Sequence, residues 1–255
     1  MSKIMLIDKS KKFSEFFEKK IEDRKIDFLV LHHVEANSVE HAIKQFEEHG
    51  VSAHFLIAED GKVFELVDEN DVAYHAGVSF WKGFESLNKN SIGIEFINSA
   101  PFEKKFEKIQ LQAGLKLCQY LMQKYHLKPE NVVGHSDIGY IKETGFLDRK
   151  QDPSHLFDWR FLAENGVGVF VDIFGAEEKL FEIGNEDLEI LKIKEKLKKF
   201  GYKVVGLNES FDEEMQALAR VFNRHFCEEN SDVWTKKSQA VLDCLYKQIC
   251  EVGKT

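Results

Sequence analysis

Two apolar runs constrain this chain most. Asp27-Phe-Leu-Val-Leu-His-His33 and Ser91-Ile-Gly-Ile-Glu-Phe-Ile-Asn98 are short and rich in branched side chains, which suits strands covered within a sheet. Each carries a polar side chain that such a position does not readily accept. His32 sits at the end of the first run. In the second, the two-residue period of a strand puts Ile92, Ile94 and Phe96 on one face and Gly93, Glu95 and Ile97 on the other. A carboxylate among apolar neighbours must be paired, lie beside a metal or have a shifted pKa.

Helix and turn patterns fill the spaces between. Residues 13–26 alternate charge and aromatics and read as a short lead-in helix. Asn37 followed by Glu40 resembles a capping box, Val39, Ala42, Ile43 and Phe46 recur at helical spacing, and Gly50 provides the stop. Runs 53–58 and 62–67 flank Asp60-Gly61, a hairpin signal. Leu111, Leu115, Cys118, Met122 and Tyr125 mark an amphipathic helix that ends before Pro129. Asn131-Val-Val-Gly-His135 reads as a short strand ending at a second histidine. An irregular loop over 136–157 contains Asp152-Pro153, and Asp158 is placed to cap a helix over 159–164.

Gly166-Val-Gly168 reads as a boundary, and beyond about residue 176 the chain becomes highly charged and helical, with helices expected over 186–200, 212–226 and 235–251. The expected organisation is a catalytic domain, 1–175, and a small independent three-helix accessory domain, 176–255. A net charge of -9, with Lys and Arg interleaved among Asp and Glu, argues against a nucleic-acid surface. No run of about 18 apolar residues suits an integral membrane span. MSKIMLIDKS lacks a secretory apolar core, and the four cysteines show no CxxC. The expected compartment is therefore the cytoplasm, with the periplasm, envelope or secretion by another route as the alternative.

His32, His135, Asp152 and a spare glutamate, Glu95, are the residue types a hydrolytic zinc centre needs: commonly three protein ligands, with a fourth position left for water. Taken singly, each has a plainer explanation. A strand-end histidine is usually a hydrogen-bonded polar group, an aspartate before proline a turn residue, and a strand glutamate a solvent-facing one. Asp137 stands in reserve as a ligand, with loop capping as its other role.

Five segments in order, Val30-Leu-His-His33, Ala73-Tyr-His-Ala-Gly77, Asn90-Ser-Ile-Gly-Ile-Glu95, Asn131-Val-Val-Gly-His-Ser-Asp-Ile138 and Lys150-Gln-Asp-Pro153, resemble the zinc-dependent N-acetylmuramoyl-L-alanine amidases of the second amidase type. These are related to the peptidoglycan-recognition proteins. The resemblance covers about residues 27–166 and implies an α/β fold, a mixed sheet flanked by helices with one zinc in a surface groove. It implies His32, His135 and Asp152 as zinc ligands. Glu95 would be the carboxylate that takes a proton from the attacking water, and Lys150 the cation that meets the oxyanion.

The bond cleaved would join the lactyl group of N-acetylmuramic acid to L-alanine, in peptidoglycan or in muropeptides including 1,6-anhydro forms. His75, Ala76, Gly77, Trp81 and Asn88 are expected along the substrate cleft, with Asn98 a further polar candidate. Phe222-Asn-Arg-His-Phe226 resembles a peptidoglycan-binding-like domain found in a larger subgroup. His33 stands where many relatives have tyrosine. The competing readings are a non-catalytic module that recognises the same polymer and a general zinc peptidase.

Overall fold

The computed structural model describes residues 6–11, 15–19 and 24–251. Its centre is a six-stranded sheet. The strands are β1 (Ile7–Asp8), β3 (Phe28–Glu35), β4 (Phe55–Ile57), β5 (Val63–Glu65), β9 (Ser91–Asn98) and β10 (Val132–Gly134), in the order β1-β5-β4-β9-β3-β10. Short antiparallel pairs join β2 (Phe17–Glu18) to β6 (Val72–Ala73) and β7 (Phe80–Trp81) to β8 (Phe84–Glu85). Strands β4, β9, β3 and β10 run parallel, while the hairpin through Asp60-Gly61 makes β5 antiparallel to β4, so the sheet is mixed as expected.

Helix α1 (Val39–His49) follows β3, and α2 (Lys108–Tyr125) follows β9. Then come α3 (His135–Ile138) and α4 (Trp159–Glu164). The C-terminal region contains β11 (Lys179–Phe181), α5 (Leu188–Phe200), α6 (Glu213–Phe226), β12 (Trp234–Thr235) and α7 (Lys236–Tyr246), with β11 and β12 paired. Among the described residues, no helix is long and apolar enough to cross a membrane.

Two expectations are corrected. The cap of α1 is Ser38, whose hydroxyl accepts from the His41 amide; Asn37 lies one residue too early. The lead-in helix over 13–26 lies partly outside the described residues, but Phe17–Glu18 is a strand paired with Val72–Ala73. Phe17 packs on the cluster around Val67 and Ala73, so pairing with the sheet overrides the helical charge pattern.

The two faces of the sheet are covered differently, and this makes the site. On one face, Leu29, Leu31, Ile92, Ile94 and Phe96 pack against Leu111, Leu117, Cys118 and Leu121 of α2. Each such side chain taken fully out of water contributes about 2 kcal/mol. On the other face, Phe28 and Val30 join a cluster with α5, α6 and α7. Further along the same face of β3, Val34 joins Ala42 and Phe46 of α1. His32 is the residue between, at the gap where neither cover reaches fully.

The C-terminal helices match their sequence patterns: Gly201 ends α5, and Asp212 caps α6 through the Met215 amide. They share one apolar cluster with Ala76, Trp81, Leu87, Val133, Ile138 and Leu147 of the catalytic region.

Candidate metal centre

Sheet register assembles the site. Leu31 pairs with Gly134 and His32 with Glu95, so the residue that follows β10, His135, continues a row that reads His135, His32, Glu95 across three strands. Asp152 enters from the irregular loop, tied to α3 by the Ser136 amide donating to the Asp152 carbonyl at 2.7 Å. The resulting triangle is tight. His32 Nδ1 lies 3.0 Å from His135 Nδ1, and both lie 3.1 Å from Asp152 Oδ2.

The proton positions follow from neighbouring carbonyls, which can only accept. Ser91 Oγ donates to the Leu87 carbonyl at 2.6 Å, so the ring N–H of His75 at Nε2 donates to Ser91 Oγ across 3.2 Å. His75 Nδ1 is then bare and accepts from His32 Nε2, 3.0 Å away. His32 Nδ1 is bare in turn. Independently, His135 Nε2 faces the Ala76 carbonyl at 3.1 Å, so its proton is there and its Nδ1 is also bare. Burial holds His32 down to about 4 and His75 well below the ordinary histidine value, which keeps both rings neutral.

Three lone pairs therefore converge with no proton between them. Zinc takes imidazole nitrogen and carboxylate oxygen at about 2.0–2.2 Å in a tetrahedral set, which implies donor separations near 3.3 Å. The donor types and the observed triangle fit such an ion.

Glu95 stands beside this triangle and outside it. It is 9% exposed, and its Oε2 has no hydrogen-bond partner among the described residues. Burial first, then Asp152, pushes its pKa well above the usual carboxylate range, against the pull of Lys150. A groove of about 520 Å³ opens over the row, lined by Glu95, Arg149, Lys150 and Asp152 together with Gln45, His49 and Tyr74. Lys150 thus faces the same space as the ligands and the carboxylate.

The expected cleft residues divide. Gly77 is exposed at φ 56°, and His75 lines the groove but is buried, its ring lying over Gly93. A Cβ at Gly93 would meet that ring at 2.4 Å, which is why this strand position carries glycine. Ala76 is buried and contributes its carbonyl to His135. Trp81 does not wall the groove: at 2% exposure it packs edge-on against Phe200 and Tyr202. Asn88 braces the turn from within, its Oδ1 accepting from the amides of His75 and Ala76.

Asn98 likewise holds a turn, through the Lys104 carbonyl and the Ala100 amide. Asp137 is no reserve ligand, since it points to His225 and Tyr202. His33, on the α2 face, accepts from the Ser154 amide and packs on Phe102 and Phe106. Sequence reasoning missed Ser91, the end of the histidine chain, and Arg149, which spans the Ala76 and Val78 carbonyls. Neither has a spacing signal, because each acts across a turn closed only by the fold.

Residues 22–155 match the family model described as N-acetylmuramoyl-L-alanine amidase. Over 220 residues the chain is 31% identical to the N-acetylmuramoyl-L-alanine amidase AmiD of Escherichia coli strain K12, covering 79% of this chain and 75% of that protein. The structure of E. coli AmiD in complex with the substrate anhydro-N-acetylmuramic acid-L-Ala-D-γ-Glu-L-Lys superposes with a TM-score of 0.73 at 27% identity, over 91% of this chain and 93% of that one. AmpDh3 of Pseudomonas aeruginosa, in complex with an anhydromuramic pentapeptide, gives 0.69 at 28% identity, over 88% and 92%. The similarity to these two structures extends through the C-terminal helices. With its converging donors and full-length relatives, the chain belongs to the N-acetylmuramoyl-L-alanine amidase family.

Proposed function

We propose that the chain is a zinc-dependent amidase that hydrolyses the amide between the lactyl group of N-acetylmuramic acid and L-alanine, with 1,6-anhydro-muropeptides among its substrates. The observation that carries this reading is the triangle of unprotonated donors beside a buried carboxylate whose Oε2 has no partner among the described residues. The inclusion of anhydro forms draws support from the ligands in the AmiD and AmpDh3 complexes. When bound at His32, His135 and Asp152, zinc supplies a Lewis acid that acidifies water and polarises the amide carbonyl.

The side chains provide the rest. Glu95 takes a proton from the attacking water and carries it to the leaving nitrogen of L-alanine, a task its raised pKa suits because the protonated form is no longer costly in that environment. Lys150 meets the negative charge that develops on the carbonyl oxygen. His75 and Ala76 fix the ring orientations of His32 and His135, so the nitrogen lone pairs face the groove before substrate arrives. The groove has the volume of an ordinary small-ligand site.

Mass spectrometry of products from paired anhydro and intact muropeptides tests the proposal. The expected products are free stem peptide and peptide-free sugar, with the anhydro substrate turned over. Binding without release of stem peptide would establish the recognition-module alternative, and cleavage inside the stem would indicate a peptidase.

A further inference from the structure

The Phe222-Asn-Arg-His-Phe226 stretch faces inward. Arg224 and His225, adjacent on α6, are each 2% exposed, unusual burial for two consecutive polar side chains near a helix end. Each reaches a different ligand-bearing segment. His225 Nδ1 donates to Asp137 Oδ2 at 2.7 Å, and Asp137 is two residues beyond His135 on α3. The same oxygen accepts from the Gly134 amide at 2.7 Å, and Tyr202 donates to the other oxygen at 3.0 Å. Arg224 donates to Asp148 Oδ1 at 2.9 Å and approaches the Lys150 carbonyl at 3.4 Å, while Arg220 holds Asp148 Oδ2 at 2.6 Å.

Packing couples the two contacts. The His225 ring stacks on Trp159 at 3.8 Å, and an added Cβ at Gly134 would meet Pro153 at 3.0 Å, Asp137 at 3.2 Å and Trp159 at 3.3 Å. The end of β10, the Asp152-Pro153 segment and the His225 stack therefore meet with no slack. Asp148 has a φ of 69°, a left-handed conformation that a non-glycine residue keeps only when its surroundings hold it there. Two arginines of α6 do so, four residues before Asp152.

We propose that Arg224 and His225 are positioning residues for the metal centre: α6 clamps α3 and the 148–153 segment so that His135 and Asp152 meet His32 at ligand spacing. In this reading, which rests on the zinc-amidase proposal, the histidine of this stretch is occupied internally and does not contact cell wall. The C-terminal helices act on catalysis through the ligand geometry.

The test measures zinc dissociation constants of the full chain by chelator competition, at a temperature where circular dichroism shows every variant folded. Arg224→Met is expected to weaken zinc about 10-fold or more, and His225→Phe, which keeps the stacked ring but loses the donor, by a similar factor. His225→Asn, which restores a donor near the Nδ1 position, is expected within about 3-fold of wild type. Should Arg224→Met not fold, Asp148→Asn carries the same expectation, because it keeps the shape and removes the charge that the arginines hold.

Lower melting temperatures with unchanged zinc constants would mean a purely structural contact and overturn the clamp. Wild-type protein that fails to bind zinc would overturn the zinc reading itself, a separate outcome.

Discussion

His135 and Asp137 stand two residues apart, yet they belong to opposite kinds of polar cluster. On the groove side, His135, His32 and Asp152 present three acceptors to one another and leave no proton to share. On the helical side, Asp137 accepts from His225, Tyr202 and the Gly134 amide, so its cluster is closed by donors. Both clusters contain histidine and carboxylate, the helical one fully covered and the groove one with Asp152 partly exposed. The difference lies in proton accounting: a set of convergent acceptors needs a cation from outside, whereas Asp137 already receives a donor at each of its oxygens.

The crossed pair Asp152→Ala and Asp137→Ala breaks or upholds that contrast most directly. Asp152→Ala is expected to lose bound zinc and to lower turnover by about 10³ to 10⁴, the rate equivalent of several kcal/mol of charge stabilisation. Asp137→Ala is expected to cost about 3–5 kcal/mol of stability, because His225 and Tyr202 keep their buried donors without an acceptor. Urea unfolding and metal analysis of both proteins decide it. A full complement of zinc in Asp152→Ala, or unchanged stability in Asp137→Ala, would merge the two clusters into one kind.

Glu95 belongs to the open side but lies outside the donor triangle, and Glu95→Gln sharpens that distinction. The variant is expected to keep its zinc while kcat falls by about 10² to 10⁴, since it keeps the shape and loses the proton acceptor. Zinc loss in this variant would place Glu95 among the ligands.

The open cluster was far more legible in the sequence than the closed one. Strand period alone put Glu95 among apolar neighbours, and the apolar runs that became β3 and β9 ended or held their polar residues where the sheet aligned them. Family motifs then supplied the third candidate ligand, Asp152, whose loop has no periodicity to read. The closed cluster joins residues 137, 202 and 225, and nothing in local spacing announces contacts across that separation. Trp81 misled for the same reason: an aromatic next to a glycine loop looks like a groove wall until α5 and the residues after it cover it. The Phe17–Glu18 strand was missed because its partner, Val72–Ala73, lies more than fifty residues away.

His75 connects the ligand row to Ser91, and removing it is expected to have a smaller effect. His75→Phe keeps a ring over Gly93 but gives His32 Nε2–H no acceptor, so the preference for a bare Nδ1 weakens. Zinc affinity is expected to fall about 10-fold, with Ser91→Ala falling less. Nitrogen NMR of the metal-free wild type should find the His32 proton on Nε2. A proton on Nδ1 would undo the assignment on which the open cluster rests.

The smallest effect concerns His54, a closed-type histidine behind the open row. Its ring lies 5.6 Å from that of His75 but bonds elsewhere: Nδ1 accepts from the Gly93 amide, and Nε2 donates to the Asp71 carbonyl. Burial, aided by Arg24, lowers its pKa from 6.5 to about 3. Because the folded-state value lies below the unfolded one, the unfolded chain takes the proton first. The stabilisation from neutral His54 is thus fully present above pH 6.5 and lost as pH falls toward 3, at up to about 1.4 kcal/mol per pH unit. Urea unfolding of metal-free His54→Asn, compared with metal-free wild type between pH 6 and 4.5, should show a slope shallower by up to one proton, whatever its stability at neutral pH. Parallel slopes would mean that His54 titrates freely, and that the cover separating the ligand row from solvent ends at His75.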